Sequence, residues 1–296
     1  MRDRRSPEVA AWEARGTYRE LAGHSIFSIE IPAARGEQLE PLLVIHGFPT
    51  SSFDFAHVVG ELAQQRRVLL VDMLGYGFSD KPDVAYTLDK EADVIAAFTD
   101  DIGLSEVALL THDLGDSVGG ELLARQLEGR WSTQVTRRVI TNGSIYIEMA
   151  HLSVGQEVLL SLPDERLPAD AAIDEEALRV SLAATFSPGA PVGDADLSAM
   201  SELVAVHQGH LLLPRTIRYI EERRRNERRF TGAIESHPSP LAVVWGEDDP
   251  IAVVGMAHRL HEVRPDAPLA ILDHVGHYPM IESPKRFAAA VTAGLA

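Results

Sequence analysis

Short apolar runs recur along the chain at residues 25–31, 42–45, 68–71, 107–110, 138–141, 241–245 and 269–272. Several are apolar throughout instead of alternating, the pattern of strands buried on both faces of a mostly parallel sheet. Between them, apolar positions at helical spacing predict helices at about 53–65, 88–101, 114–127, 254–263 and 284–295. The last begins with Ser283-Pro284, an N-cap followed by proline at the first helical position. Strand and helix in alternation imply a doubly wound α/β sheet.

The alternation stops between Tyr146 and Ile234. That stretch carries amphipathic helical patterns at 175–186, 197–209 and 211–229, with Pro- and Gly-bearing breaks at 162–168 and 187–193. The pattern predicts a core of residues 1–145 and 235–296, with residues 146–234 inserted as a helical cap. Arg223, Arg224, Arg225, Arg228 and Arg229 stand among Glu221, Glu222 and Glu227. They read as a solvated helix face of ion pairs and not as a phosphate site.

Composition narrows the chemistry. The 296 residues hold 27 Lys and Arg against 44 Asp and Glu, a net charge of −17. Such an excess argues against nucleic acid and against an anionic membrane face. With no cysteine, thiolate metal sites, disulfides and cysteine nucleophiles are excluded. No apolar run approaches the roughly 20 residues of a membrane span. The amino terminus, Met1-Arg-Asp-Arg-Arg-Ser-Pro7, has no apolar stretch behind it. The expected location is therefore the cytoplasm. His207 and His210 have no partner carboxylate in a recognisable motif, and no metal or cofactor is expected.

The segment from Glu106 to Gly120 is the most informative. A buried strand runs into a helix through a turn at Asp113, which would expose that side chain at the sheet edge beside helix N–H groups. Gly115 meets the need for a small residue there, whereas Thr111 is larger than the usual glycine. A competing reading takes Gly115-Asp-Ser-Val-Gly119 as G-x-S-x-G, with Ser117 as nucleophile. Register favours Asp113, because the apolar run ends at Leu110 and Ser117 would fall a full turn inside the helix.

With these residues the chain resembles the α/β-hydrolase superfamily, and within it the aspartate-nucleophile branch of epoxide hydrolases and haloalkane dehalogenases. His46-Gly-Phe-Pro-Thr-Ser-Ser52 resembles the oxyanion loop, and Asp72-Met-Leu-Gly-Tyr-Gly-Phe-Ser79 the D-x-x-G-x-G-x-S segment. His112-Asp-Leu-Gly115 resembles the nucleophile turn, Trp245-Gly-Glu-Asp-Asp-Pro250 the acid-bearing turn, and Gly276-His-Tyr-Pro279 the base-bearing loop. The resemblance implies an α/β-hydrolase fold, Asp113 as nucleophile and His277 as base. Asp249, favoured over Asp248 by the G-x-x-D spacing, would orient His277. The backbone amides of Phe48 and Leu114 would form the oxyanion hole. Asn142, where some relatives place their acid, reads as structural.

The electrophile is less constrained. Haloalkane dehalogenases place a tryptophan after the nucleophile, and fluoroacetate-type dehalogenases an arginine; here Leu114 stands there. Trp12, Trp131 and Trp245 occupy no halide position. Epoxide opening uses two cap tyrosines as proton donors, for which Tyr146 and Tyr219 are the candidates; Tyr219 reads equally well as packing. The His-Asp-x-Gly-Asp turn, the arginine-rich stretch before Thr231-Gly-Ala-Ile234 and the His-Tyr-Pro also resemble the mesoderm-specific transcript proteins. The expectation is a hydrolase of a small apolar electrophile, foremost an epoxide, acting with water through an Asp113 ester. Haloalkane dehalogenation, a Ser117 esterase and a non-catalytic scaffold are the alternatives. A homodimer is compatible with all of them.

Overall fold

A computed structural model describes residues 5–171, 173–190 and 192–296; the first four residues of the amino-terminal segment read above lie outside them. Eight strands form one sheet: β1 (Thr17–Leu21), β2 (His24–Ile31), β3 (Leu42–Ile45), β4 (Val68–Val71), β5 (Glu106–His112), β6 (Gln134–Thr141), β7 (Leu241–Gly246) and β8 (Leu269–Leu272). Their order is β1-β2-β4-β3-β5-β6-β7-β8. β1 and β2 run antiparallel, as does β2 against β4, and every later pairing is parallel. The all-apolar strands β3 and β4 are buried at every residue, as strands covered on both faces must be.

The helices are α1 (Pro7–Glu13), α2 (Val59–Leu62), α3 (Leu88–Asp101), α4 (Leu114–Leu127), α5 (Val154–Ser161), α6 (Glu175–Ala183), α7 (Asp194–Ala205), α8 (Leu213–Thr216), α9 (Tyr219–Ser236), α10 (Gly255–Val263), α11 (Pro279–Glu282) and α12 (Pro284–Gly294). Phe98 of α3 and Leu122 of α4 join one apolar cluster. Leu62 of α2 with Phe287 and Val291 of α12 join a second. These are the two covered faces of the sheet.

Several elements differ from the sequence reading. The helix expected over 53–65 is a 3₁₀ turn, Ser52–Phe55, followed by the single turn of α2. Tertiary bonds outweigh helical periodicity there: Asp72 accepts the Ser52 amide at 2.9 Å, and Ser51 Oγ accepts that of Phe53 at 3.3 Å. Strand β1 was not expected, because its edge position leaves it mostly exposed and without an apolar run. The pattern at 197–209 stops at Ala205, where His207 and Gln208 take left-handed φ of 51° and 62°. The pattern at 211–229 divides into α8 and α9, and α9 continues to Ser236 against α4.

The arginine cluster of α9 needs the largest correction. Arg223 is buried at 3% exposure and does not lie on a solvated face. Arg229 pairs with Glu121 and Glu128 of the core, at 2.5 and 2.7 Å, and not with its helical neighbours. Glu222 and Glu227 accept the backbone amides of Leu88 and Ile147. Packing of α9 onto α4 turns Arg223 inward, while Arg224, Arg225 and Arg228 stay exposed as expected.

Candidate active site

Parallel strands deliver loops from their carboxyl ends to one edge of the sheet, the usual location of α/β sites. β3 leads to His46, Gly47 and Phe48; β5 to Asp113; β6 to Asn142. β7 leads to Asp249, and β8 to His277 and Tyr278.

Asp113 sits between β5 and α4 at φ 51°, ψ −112°, a conformation that an L side chain adopts only under strain. It is 2% exposed, and its Oδ2 accepts the Phe48 amide at 2.8 Å. Only glycine fits at position 47, since a Cβ there would lie 2.7 Å from Asp113 Cβ. The bulk of Thr111 is accommodated by Gly119, where a Cβ would come within 2.9 Å of the threonine methyl. Leu114 begins α4, so its amide follows the Asp113 carboxylate directly.

His277 Nδ1 meets Asp249 Oδ2 at 2.8 Å, while Asp248 makes only a backbone bond to Val275. Because a carboxylate only accepts, Nδ1 carries the proton and Nε2 is left as the basic nitrogen. Asp249 is held in turn by Asn142 Nδ2 at 2.7 Å and by the amides of Ile251 and Ala252 at 2.8 and 3.0 Å. Burial pushes the His277 imidazolium down, but the charge and hydrogen bond of Asp249, backed by Asp113 and Asp54, outweigh it and hold His277 up at about 9. Asn142 to Ala should leave Asp249 one bond short and cost about 1–3 kcal/mol, read as a lower urea midpoint with unchanged slope.

The other two histidines support loops. His112 Nε2 donates to the His277 carbonyl at 2.8 Å, and burial with His277 beside it lowers its ring to about 4. His46 Nε2 accepts the Met73 amide at 3.0 Å, so its Nδ1 donates to the Gly47 carbonyl at 2.8 Å.

A cavity of about 280 Å³ opens between the core loops and the helical segment. Phe48, Ile251, His277 and Tyr278 line its core side; Leu159 of α5 and Leu178 and Leu182 of α6 line the other. Among the described residues, His277 is the single imidazole on its wall, and no carboxylate, lysine or arginine lines it.

The candidate tyrosines separate. Tyr219 is buried, with its ring 5.7 Å from that of Phe48, and it shares a void of about 10 Å³ with Leu114 and Tyr76. Burial, and then the Asp113 carboxylate, push its phenol well above the ordinary range. Tyr146 is not brought to this site. Its hydroxyl donates to Glu235 at 3.1 Å and its ring lies under Arg259 at 4.1 Å. Ser117 lies within α4, where its hydroxyl accepts from Arg223 at 3.3 Å.

Two neighbours escaped the sequence reading. Tyr278 is fully buried, stacked on Phe186 at 5.1 Å, with its ring 5.3 Å from that of His112; its place beside His277 was the available signal. Asp54, on the 3₁₀ turn, accepts from Thr50 at 2.5 Å. Burial pushes its carboxyl well up, the Asp113 charge adds to that rise, and Asp54 in turn helps to raise His277. No periodicity marks a polar group that a turn buries. No cluster of three metal-ligating side chains occurs among the described residues, and no helix among them is long and apolar enough to cross a membrane.

A strained residue at a strand–helix turn, an amide donor after the third strand and a His–Asp pair after the last two strands thus meet at one edge of the α/β sheet. The chain belongs to the alpha/beta hydrolase family, whose pattern its residues 42–290 match, and it is a hydrolase of that family. It is 36% identical over 286 residues to the putative hydrolase LipZ of Mycobacterium tuberculosis, covering 96% of this chain and 97% of that one. It is 30% identical over 294 residues to the mouse mesoderm-specific transcript protein, covering 95% and 86%. Among solved structures, a meta-cleavage product hydrolase of Pseudomonas fluorescens shares the fold with a TM-score of 0.75 at 20% identity, covering 95% and 97%.

Proposed function

We propose that this hydrolase opens small apolar epoxides through a covalent ester on Asp113, using residues 146–234 as the cap that closes the cavity. The observation that carries this reading is the occupant of the strained turn: Asp113 stands there, bonded to the Phe48 amide, while Ser117 is committed to Arg223 inside α4.

One carboxylate oxygen of Asp113 attacks a ring carbon, the carbon–oxygen bond breaks, and the ring oxygen takes a proton from Tyr219. His277 Nε2 then removes a proton from water, which attacks the ester carbonyl. The oxyanion that forms sits at the Phe48 and Leu114 amides. Collapse releases the diol, and the proton on His277 returns to Tyr219. A largely apolar cavity wall, with His277 as its one ionisable imidazole among the described residues, suits a small apolar substrate.

The tryptophans disfavour halide capture. The indole N–H groups of Trp12, Trp131 and Trp245 donate to Ser52, Thr99 and Ala252, so none is free to hold a leaving halide.

The decisive experiment is a single turnover of styrene oxide in ¹⁸O-labelled water with enzyme in excess. The first diol should carry unlabelled oxygen while Asp113 gains the label, read by peptide mass spectrometry. Label in the first diol would mean direct attack by water and would end the ester reading. A parallel panel of haloalkanes and p-nitrophenyl esters reports whether another electrophile is preferred.

A further inference from the structure

Arg223 is a buried cation that the reaction scheme above leaves unused. It is 3% exposed and lies one turn beyond Tyr219 on α9. Its guanidinium carbon sits 5.3 Å from the centroid of the Tyr219 ring. Nη1 donates to Ser117 Oγ at 3.3 Å, anchoring the side chain to α4 one turn after Asp113. Nε is buried with no hydrogen-bond partner, and among the described residues no carboxylate reaches ion-pair distance, although the neighbouring Arg218 and Arg229 are each paired. Asp116, on which the Arg223 charge acts, is itself buried and pushed towards its neutral form, and it accepts from the Thr111 hydroxyl.

Burying a guanidinium with so little compensation is costly. A cation over an aromatic face is attracted by the ring's π charge, and that attraction grows when the phenol becomes a phenolate. We infer that Arg223 is the positioning residue that holds the Tyr219 phenol at the site and stabilises the phenolate left when its proton passes to the opened ring oxygen. This rests on the role given above to Tyr219. The titratable and charged groups in electrostatic reach of the phenol are Asp113 from the strand–helix turn, Tyr76 from the loop after β4, Tyr278 from the loop after β8, and Arg223 from its own helix. Asp113 opposes ionisation of the phenol, and Arg223 alone among them favours it. Formation of the ester removes the Asp113 charge as the phenolate appears, so the balance at Tyr219 tips towards ionisation during the step that needs it.

The test places 3-fluorotyrosine at position 219 and follows its fluorine resonance against pH in the full-length protein. With Arg223→Met the titration midpoint should rise by about one unit, a tenfold change in ionisation, and Arg223→Lys should restore most of it. An unshifted midpoint in folded Arg223→Met protein overturns the inference. This readout uses no substrate, so it stands even if styrene oxide proves not to be turned over, in which case the functional reading fails separately. Where turnover occurs, Arg223→Met should lower kcat about tenfold with Tyr219 present and less than twofold in a Tyr219→Phe background. Equal losses in both backgrounds would mark Arg223 as a fold-stabilising residue only. Thermal midpoints of all variants establish that each is folded.

Discussion

His277→Gln should stop the enzyme after one chemical step with its substrate still attached. Under the proposed scheme Asp113 attacks without help from the base, so ester formation proceeds; hydrolysis loses its general base and should slow by about 10⁴-fold. Intact-protein mass spectrometry after mixing with styrene oxide should show one stoichiometric adduct on Asp113, against a vanishing amount in the parent protein. An unmodified His277→Gln protein, with no diol formed, would remove Asp113 as nucleophile. The same residue sets the pH dependence. Asp249, Asp113 and Asp54 raise the His277 imidazolium to about 9 against burial. The base must be neutral, so ester hydrolysis should rise with pH. Its midpoint should fall below 9, because the ester has neutralised Asp113 and removed one of the charges holding the proton on. In the resting protein the sign is opposite for stability. The folded value lies above the ordinary 6.5, so the His277–Asp249 pair stabilises fully below about pH 6.5 and that contribution is lost as pH rises through about 9.

Asp113→Ala should abolish turnover by about 10⁴-fold or more and yield no adduct at any pH. Retained hydrolysis of p-nitrophenyl esters in this variant, lost on adding Ser117→Ala, would move the chemistry to the serine. A second comparison isolates the backbone. At φ 51°, ψ −112°, alanine is strained and glycine is not, so Asp113→Gly should be more stable than Asp113→Ala by about 1–2 kcal/mol. That reverses the usual order of the two residues. Equal urea midpoints for the two variants would mean that the turn relaxes once the carboxylate is gone.

Much of the site was legible because its signals are local. An apolar run ending at Leu110 and a helix from Leu114 leave Asp113 at the turn, whatever else the chain does. The G-x-x-D spacing marked Asp249 for the same reason, and the structure puts its carboxylate on His277. Asn142 was read as structural, and its amide does hold Asp249; nothing in its neighbourhood along the chain announces which carboxylate it would meet. The tyrosines were harder still. Tyr146 and Tyr219 have similar sequence credentials, yet one is tied to Glu235 and the other stands at Phe48 and Leu114.

The sequence by itself determined where the buried strands fall along the chain, the identity of the residue at the strained turn, and a thiol-free, strongly acidic composition. Those follow from periodicity, turn chemistry and composition, which act within a few residues or over the whole chain at once. Only the tertiary structure decided that the helix at 53–65 is broken, that Arg223 faces inward over Tyr219, and that Asp54 and Tyr278 join the site. Each depends on which element packs against which across the sheet. Burial changes the energy of a charge or a phenol far more than any neighbour along the chain can.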